Sequence, residues 1–323
     1  MTPADLPRRQ FLGTAAAMLT AASLPPARAA AKSAGGAHAT PAAAAGTLRI
    51  GDLPIARLGF GAMRITGDGI WGEPTDPAAC RAVLRRAVDL GVNFIDTANS
   101  YGPYVSERLI AEALHPYPRG LVIATKGGLT RPGPNKWVAD CRPAELRKDC
   151  EGSLKRLAVE RIDLYQLHIP DSKVPYEESL GELARLQTEG KIRHIGISNV
   201  KPEHVDAARR VVKVVSVQNR YNVADRGSDA VLTLCERDGI AFIPWAPLGK
   251  SGRDSTPDTG AKAALEAIAK ERGISSFQAQ LVWLLSRSPV MVPIPGTASV
   301  SHLEENLAAA KLRFTTAEMQ RIG

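Results

Sequence analysis

Short apolar runs alternate with longer amphipathic stretches from about residue 47 to the end of the chain. Between the runs, apolar residues recur at helical spacing, as at Leu146, Cys150, Leu154 and Leu157, which predicts helices. The runs themselves are apolar throughout, which indicates strands buried on both faces. Eight strands are predicted: Arg57–Gly61, Asn93–Thr97, Leu121–Lys126, Asp163–His168, His194–Ser198, Val214–Asn219, Ala241–Trp245 and Val290–Pro295.

Eight strand–helix units over residues 47–323 predict an α/β fold of the (β/α)8 TIM-barrel type, which typically takes about 250 residues. The alternative is a doubly wound parallel sheet. Against it, no GxGxxG turn follows the first strand, and the early Gly59-Phe60-Gly61-Ala62 lacks the third glycine of a dinucleotide-binding turn. Ahead of the barrel, residues Leu48–Ile55 alternate around a turn, which predicts a short β-hairpin covering the barrel bottom.

Residues 1–31 have the three-part pattern of an export signal. A charged start precedes a short apolar run, Gly13–Leu24, and then a small-residue cleavage site at Ala27-Arg28-Ala29. The run is too short to span a membrane, which takes about 20 residues. The pair Arg8-Arg9, followed by Phe11-Leu12, resembles the bacterial twin-arginine signal, with an ordinary secretory signal as the alternative.

This signal predicts export by the twin-arginine translocon from the cytoplasm to the periplasm or the exterior, with a mature chain starting near Ala30. The competing interpretation is a vestigial signal on a protein that works inside the cell. Residues 32–46 are rich in Ala and Gly and have no apolar period, so we expect a flexible linker there. The barrel domain then takes residues 47–323.

The composition excludes several function classes. The formal net charge of the 323-residue chain is +8, but its basic residues are scattered, so nucleic-acid binding is not expected. The four cysteines (Cys80, Cys141, Cys150 and Cys235) form no CxxC pair and have no metal-ligand spacing with histidine, so no metal site is expected. No apolar stretch is long enough for a membrane span. The oligomeric state stays open.

Titratable residues stand where three consecutive predicted strands end. Asp96 ends the second strand, with Tyr101 shortly after it; Lys126 ends the third and His168 the fourth. Each alone has a structural explanation, such as a turn cap or a hydrogen-bonded core histidine. Together, at the strand ends where barrels of this type carry their chemistry, they predict an active site.

Several motifs between residues 48 and 321 are similar to those of the aldo-keto reductase superfamily. They are Gly59-Phe60-Gly61, Phe94-Ile95-Asp96-Thr97-Ala98 with Tyr101-Gly102, Ala124-Thr125-Lys126, Asp163-Leu164-Tyr165 with Leu167-His168, Gly190-Lys191-Ile192-Arg193 with Ser198-Asn199, and Gln218-Asn219 with Tyr221-Asn222. The resemblance implies a catalytic tetrad of Asp96, Tyr101, Lys126 and His168.

The chemistry of these four residues suits carbonyl reduction. Tyr101 can act as the general acid at the carbonyl oxygen, and a neighbouring ammonium, Lys126, favours its phenolate. Asp96 keeps Lys126 charged in a closed pocket, and His168 can hydrogen-bond and orient the carbonyl. The hydride has to come from a cofactor. We therefore expect reduction of a small aldehyde or ketone; the alternatives are an alcohol or sugar dehydrogenase and a non-catalytic nicotinamide-nucleotide sensor.

The resemblance also implies a nicotinamide cofactor site. Ser198, Asn199 and Gln218 would hold the carboxamide, Trp245 would stack on the ring unless it is a core residue, and Glu305 and Asn306 would contact the adenine. The loop Pro247-Leu248-Gly249-Lys250 is expected near the pyrophosphate. A turn before a helix, with Gly296, Thr297, Ser299 and His302, is expected at the last phosphate. Well-known members have a lysine where Gly296 stands and an arginine where His302 stands, and this chain departs from them. The turn still offers N–H donors and the hydroxyls of Thr297 and Ser299, so we expect NADP, with NAD possible.

The substrate side is predicted from the loops after the strands. Four residues there are candidates for the pocket wall or a substrate group: Arg64, Trp71, Asn99 and Trp137. The alternative for each of the two tryptophans is a structural role as a plug. The alternative for Arg64 is an ion pair with a neighbouring carboxylate. The Thr-Lys-Gly-Gly segment at 125–128, Arg131-Pro132-Gly133 and the region of Arg64 look like those of bacterial pyridoxal-reductase-type members.

Overall fold

Parallel strands and helices alternate through most of the chain. The computed structural model describes residues 40–249 and 260–323, which belong to one compact unit. The predicted signal at 1–31, the first part of the predicted linker and Lys250 lie outside the described residues. The described residues form eleven strands: β1 Thr47–Ile50, β2 Leu53–Ala56, β3 Phe60–Gly61, β4 Phe94–Asp96, β5 Val122–Gly127, β6 Leu129–Gly133, β7 Lys136–Ala139, β8 Ile162–Leu167, β9 Ile192–Ser198, β10 Val214–Arg220 and β11 Ala241–Trp245.

Some of the helices begin at residues that capping rules favour. Asp76 accepts the Ala79 N–H at 2.9 Å, and a proline follows it at the first helical position. The ten α-helices of the described residues are α1 Pro77–Asp89, α2 Val105–Leu114, α3 Pro143–Leu157, α4 Tyr176–Thr188, α5 Pro202–Val211, α6 Asp229–Asp238, α7 Gly260–Arg272, α8 Ser276–Arg287, α9 Val300–Ala308 and α10 Thr316–Ile322. Short 3-10 helices cover Ala42–Ala45, Ala62–Ile65, Asp68–Ile70 and Ala309–Lys311.

Seven parallel strands form one curved sheet in the order β3, β4, β5, β8, β9, β10, β11. This order confirms the predicted barrel class, and a helix follows each strand. The eighth predicted strand, Val290–Pro295, is wrong as a strand: it forms only one isolated bridge, between Phe242 and Met291. Pro293 and Pro295 have no N–H to donate, which prevents a regular ladder.

The same segment nevertheless closes the barrel through the hydrogen bonds that it can make. Phe242 donates its N–H to the Val290 carbonyl at 2.9 Å, and Val292 donates to the Phe242 carbonyl at 2.8 Å. On the other side, Gly59 donates to the Pro293 carbonyl at 2.9 Å. The irregular segment therefore joins β11 to the start of the sheet.

The predicted hairpin is confirmed as the antiparallel pair β1–β2. Ile50, Leu53 and Ile55 of this hairpin are buried in one cluster with apolar residues of the barrel strands, such as Phe94 and Leu164. Burying these side chains fills the lower end of the barrel, so the mouth at the other end is left for chemistry.

Two segments differ from the sequence prediction. Ala42–Ala45 were assigned to the linker 32–46, but they form a 3-10 helix with Ala42 and Ala45 buried, so packing on the barrel starts earlier than expected. The antiparallel hairpin β6–β7 between β5 and α3 was not predicted. Within residues 40–249 and 260–323, no helix is long and apolar enough to cross a bilayer.

Candidate active site

Four side chains with acid–base chemistry meet at the carboxyl ends of three neighbouring strands. Asp96 is the last residue of β4, Lys126 lies near the end of β5, and His168 directly follows β8. Tyr101 stands on the loop between β4 and α2, and all four side chains are buried. The structure thus brings together the four residues that the sequence singles out.

Lys126 has a hydrogen-bond partner for each of its three ammonium protons. Its Nζ lies 2.6 Å from Asp96 Oδ1, 2.8 Å from the Thr97 carbonyl oxygen and 3.3 Å from the Tyr101 hydroxyl oxygen. An ammonium group only donates, so the Tyr101 oxygen accepts this bond. The hydroxyl proton of Tyr101 therefore stays available for another acceptor.

Asp96 is held by two amides as well as by Lys126. Its Oδ2 accepts hydrogen bonds from Gln166 Nε2 at 3.0 Å and from Gln218 Nε2 at 2.8 Å. A buried ion pair needs such bonds because the desolvation of two charges has to be offset. The amide nitrogen of Gln218, expected at the nicotinamide, is thus bound to Asp96.

Sequence reasoning missed Gln166. It lies two residues before His168, and alternation along β8 places the two on the same side of the strand. Its amide oxygen is buried and has no hydrogen-bond partner among the described residues. The signal that could have found it is an amide at the end of a strand predicted to be buried, since buried polar groups are usually paired.

The protonation states follow from burial and from two nearby cations. Burial raises the pKa of Tyr101 above its ordinary value, although the charges of Lys126 and Arg131 oppose this. Burial lowers the pKa of His168 well below its ordinary value, and Lys126 and Arg131 lower it further. Burial alone would lower the pKa of Lys126, but Asp96 and the Tyr101 oxygen raise it. At neutral pH the site therefore holds a protonated phenol, a neutral imidazole and an ammonium.

Three of the four predicted substrate residues lie in the wall around Tyr101 or behind it. Trp137 of β7 makes an edge contact with the Tyr101 ring at 6.3 Å between centroids, and Trp71 pairs with Gly102 in a single parallel bridge. Asn99 is buried, and its side chain hydrogen-bonds to Asp149, whose pKa burial raises to about 6. This bond links the loop that carries Tyr101 to α3.

The residues expected at the nicotinamide form a connected set at the ends of β9 and β11. Trp245 donates its indole N–H to Asn199 Oδ1 at 3.1 Å, and Asn199 Nδ2 donates to the His168 carbonyl oxygen at 3.0 Å. Ser198 Oγ donates to the Gln218 carbonyl oxygen at 2.7 Å. Trp245 is half-buried, so its ring is fixed in orientation yet partly open to the mouth of the barrel.

The turn before α9 has the features of an anion site. Ser299 is the N-cap, its hydroxyl accepts the His302 N–H, and the first turn holds no acidic residue. Thr297 Oγ1 accepts the Ser299 N–H at 3.0 Å, and His302 is exposed. Free N–H groups and the helix dipole at such an end favour a phosphate.

Arg64, which the sequence places on the substrate side, lies beside this turn. A Cβ added at Gly296 would overlap the carbonyl oxygen of Gly61 and would lie 3.6 Å from Arg64 Cγ. Position 296 therefore excludes a lysine in this backbone, and the exposed Arg64 is the cation next to it.

The remaining cofactor candidates lie directly after β11 and on α9. Pro247 is buried, Leu248 packs on the apolar cluster under α1 and α9, and Gly249 closes a turn onto the Ala246 carbonyl at 3.0 Å. On α9, Asn306 is buried and Glu305 is half-exposed. No group of three or more metal-ligating side chains occurs in the described parts of the chain.

Comparison with known proteins identifies a family. The model of the aldo/keto reductase family matches residues 57–323. An uncharacterised oxidoreductase of Schizosaccharomyces pombe is 51% identical over 278 residues, 86% of this chain and 89% of that protein. The pyridoxine 4-dehydrogenase of Escherichia coli is 42% identical over 275 residues, 83% of this chain and 94% of that protein.

A solved structure shares both the fold and moderate sequence identity. The aldo/keto reductase of Klebsiella pneumoniae, crystallised with NADP and acetate, superimposes with a TM-score of 0.72 at 26% identity. The alignment covers 85% of this chain and 93% of that one.

The buried ion pair leads to a stability prediction. Replacing Lys126 by methionine leaves Asp96 buried without its counter-charge, so we expect the free energy of unfolding at pH 7 to fall by about 3–5 kcal/mol. Urea unfolding followed by circular dichroism measures it. The matched control is Arg108→Met, which removes an exposed arginine paired with Glu73 and Glu112 and should cost about 0–1 kcal/mol. Equal losses in the two variants would contradict the importance of the buried pair.

Proposed function

The chain belongs to the aldo/keto reductase family and is an NAD(P)-dependent oxidoreductase; from this premise we propose that it reduces aldehydes and ketones to alcohols with NADPH. The observation that carries the proposal is the hydrogen-bond direction at Tyr101. Its oxygen accepts from Lys126, so its proton is left for a carbonyl oxygen. A protonated phenol in the resting site suits the reductive direction, in which the acid donates.

The residues present fit NADP. Trp245 offers a half-exposed ring of fixed orientation, and the N-terminus of α9 offers N–H groups with hydroxyls and Arg64 beside them. The related enzyme of Klebsiella pneumoniae was crystallised with NADP, which supports the same cofactor here. When bound, the nicotinamide supplies the hydride, which no side chain can donate.

The protein residues handle the carbonyl oxygen. His168 stays neutral, and its Nδ1 lies 3.4 Å from the Ser100 hydroxyl, so accepting that proton would leave Nε2 as a donor that orients the carbonyl. Tyr101 gives its proton as negative charge develops on the oxygen. Lys126 then stabilises the phenolate across 3.3 Å, while Asp96 keeps the ammonium charged.

For the substrate we propose an aromatic aldehyde of the pyridoxal type. The 42% identity to an enzyme named pyridoxine 4-dehydrogenase supports this class and leaves the oxidative direction as the alternative. Initial rates of NADPH oxidation with pyridoxal, and of NADP reduction with pyridoxine, test the proposal. Turnover with neither compound nor with a simple aldehyde would reject it.

Tyr101→Phe removes the proton donor. We expect kcat to fall by at least about 10²-fold, the usual contribution of a general acid, while the calorimetric Kd of NADPH stays unchanged. Because the raised pKa of Tyr101 and the lowered pKa of His168 keep both groups in one state near neutrality, wild-type kcat should be flat between about pH 7 and 9. Tyr104→Phe, an exposed tyrosine on the same loop, is the control. A fully active Tyr101→Phe enzyme would refute the assignment.

Arg64 should contribute to NADPH binding. Arg64→Met removes a charge-assisted contact worth about 1.5–3 kcal/mol, so NADPH affinity should fall by about 10- to 100-fold and NADH affinity by less. His302→Arg should act in the opposite sense, since it adds a cation in the first turn of α9. Calorimetry with each nucleotide measures both.

The control is Arg49→Met, an exposed arginine on the hairpin at the barrel bottom, which should change neither affinity. Equal losses of NADPH and NADH would assign Arg64 to the phosphates shared by both cofactors. No loss at low salt would remove it from the site.

We further propose that the twin-arginine route exports the folded, cofactor-loaded enzyme. An unfolded chain cannot carry its cofactor, and free NADPH is not expected to be regenerated outside the cytoplasm. All four cysteines are buried and unpaired, which suits folding under reducing conditions.

Replacing Arg8 and Arg9 by lysine should retain the protein in the cytoplasm, because the signal depends on the arginine pair. Cell fractionation and the N-terminus of the mature chain measure this outcome. Unchanged envelope levels would argue against the twin-arginine route, and an uncleaved cytoplasmic wild type would exclude export.

A further inference from the structure

One buried arginine connects three separate parts of the barrel mouth. Arg131 of β6 donates Nε to the Lys136 carbonyl at 2.8 Å and an NH1 proton to the Ser100 carbonyl at 3.0 Å. It also binds the carbonyls of Ile70 and Gly69, each at 2.9 Å. The side chain therefore joins the β6–β7 hairpin to the 3-10 helix Asp68–Ile70 and to the loop that carries Tyr101.

These bonds use four of the five N–H donors of the guanidinium, and every acceptor is a backbone carbonyl. In the part of the chain that the structure describes, Arg131 forms no ion pair with a carboxylate. Burying an arginine without a counter-charge is costly. Such a buried arginine is useful where its planar guanidinium group holds several backbone segments in one geometry, which a flexible side chain would not do.

What Arg131 fixes is Trp137. The guanidinium carbon lies 3.6 Å from the centroid of the Trp137 ring, a close cation–π stack. The Trp137 ring also makes edge contacts with Tyr101, at 6.3 Å between ring centroids, and with His168, at 6.4 Å between ring centroids. Trp137 is nevertheless 37% exposed, so part of a held aromatic surface faces solvent beside the two residues that meet the carbonyl.

We propose that Arg131 is a positioning residue for substrate preference: it holds Trp137 as a flat wall on which the ring of an aromatic aldehyde packs beside Tyr101. Offset or edge contacts between aromatic rings add to simple apolar burial, and a wall fixed in advance loses little entropy when the substrate binds. A small aliphatic aldehyde gains nothing from this wall. The inference rests on the proposed function and goes beyond it by naming the residues that select the substrate class.

The test compares pyridoxal with propanal, both reduced with NADPH, in the full chain. Trp137→Ala should lower the ratio of kcat/KM for pyridoxal over propanal by about tenfold, mainly through KM, because ring contacts act in binding. Trp137→Phe keeps an aromatic face and should retain most of the ratio. Arg131→Met, which keeps length but loses the fork, should lower the ratio as Trp137→Ala does.

A double-mutant cycle separates positioning from general support of the fold. If Arg131 acts through Trp137, adding Arg131→Met to Trp137→Ala should lower the ratio no further. Arg131→Lys keeps the charge without the planar fork and should behave like Arg131→Met. The Kd of NADPH, measured by calorimetry, should stay within about twofold in all variants, because loss of cofactor binding would indicate general disruption.

Several results would overturn the inference. They are an unchanged ratio in Trp137→Ala, additive losses in the double variant, or equal losses with both aldehydes. If Arg131→Met does not fold, the two variants Trp137→Ala and Trp137→Phe, together with Arg131→Lys, still test the inference. A wild type that reduces neither aldehyde rejects the proposed function, whereas one that reduces both with a ratio insensitive to Trp137 rejects only this inference.

Discussion

The ion pair between Lys126 and Asp96 is the constraint on which the site depends. The two charges lie 2.6 Å apart with almost no exposure to solvent, so their desolvation has to be offset by the protein itself. The chain does so with the Thr97 carbonyl on the lysine and with the Gln166 and Gln218 amides on the aspartate. Residues from four strands and their following loops are thereby held in register around one ammonium group.

This pair, together with Arg131, sets the electrostatic potential at the mouth of the barrel. Lys126 and Arg131 are two cations beside Tyr101, while Asp96 is the one carboxylate bonded to Lys126 among the described residues. A site with excess positive charge stabilises an oxygen that becomes negative during reaction, and it keeps His168 neutral. Burial keeps Tyr101 protonated in spite of these cations. In the proposed mechanism, acid donation and oxyanion stabilisation thus arise from one arrangement.

The sequence predicts the parts of this arrangement that rest on local pattern. Apolar runs that end in Asp96, Lys126 and His168 predict where the strands lie and which end of the barrel carries the site. Strand burial and strand ends are local signals, so they can be read from the sequence. The long-range contacts were not predictable. Arg131 reaches the Gly69 carbonyl across 62 positions, and its partners are backbone atoms that carry no residue identity. Val290–Pro295 do not form the predicted eighth strand because Pro293 and Pro295 have no N–H to donate to a regular hydrogen-bond ladder.

The turn before α9, the proposed phosphate site, shows why residue roles do not transfer position by position. Relatives with a lysine at the position of Gly296 need a backbone that leaves room for its Cβ, whereas here the Gly61 carbonyl fills that space. The close approach is itself required, since Gly59 and Gly61 donate to the Pro293 and Pro295 carbonyls, which closes the barrel without a regular eighth strand. A chain that closes in this way cannot present the lysine there. In the proposed phosphate site the cation would then come from a neighbouring element, the 3-10 helix Ala62–Ile65, which carries Arg64.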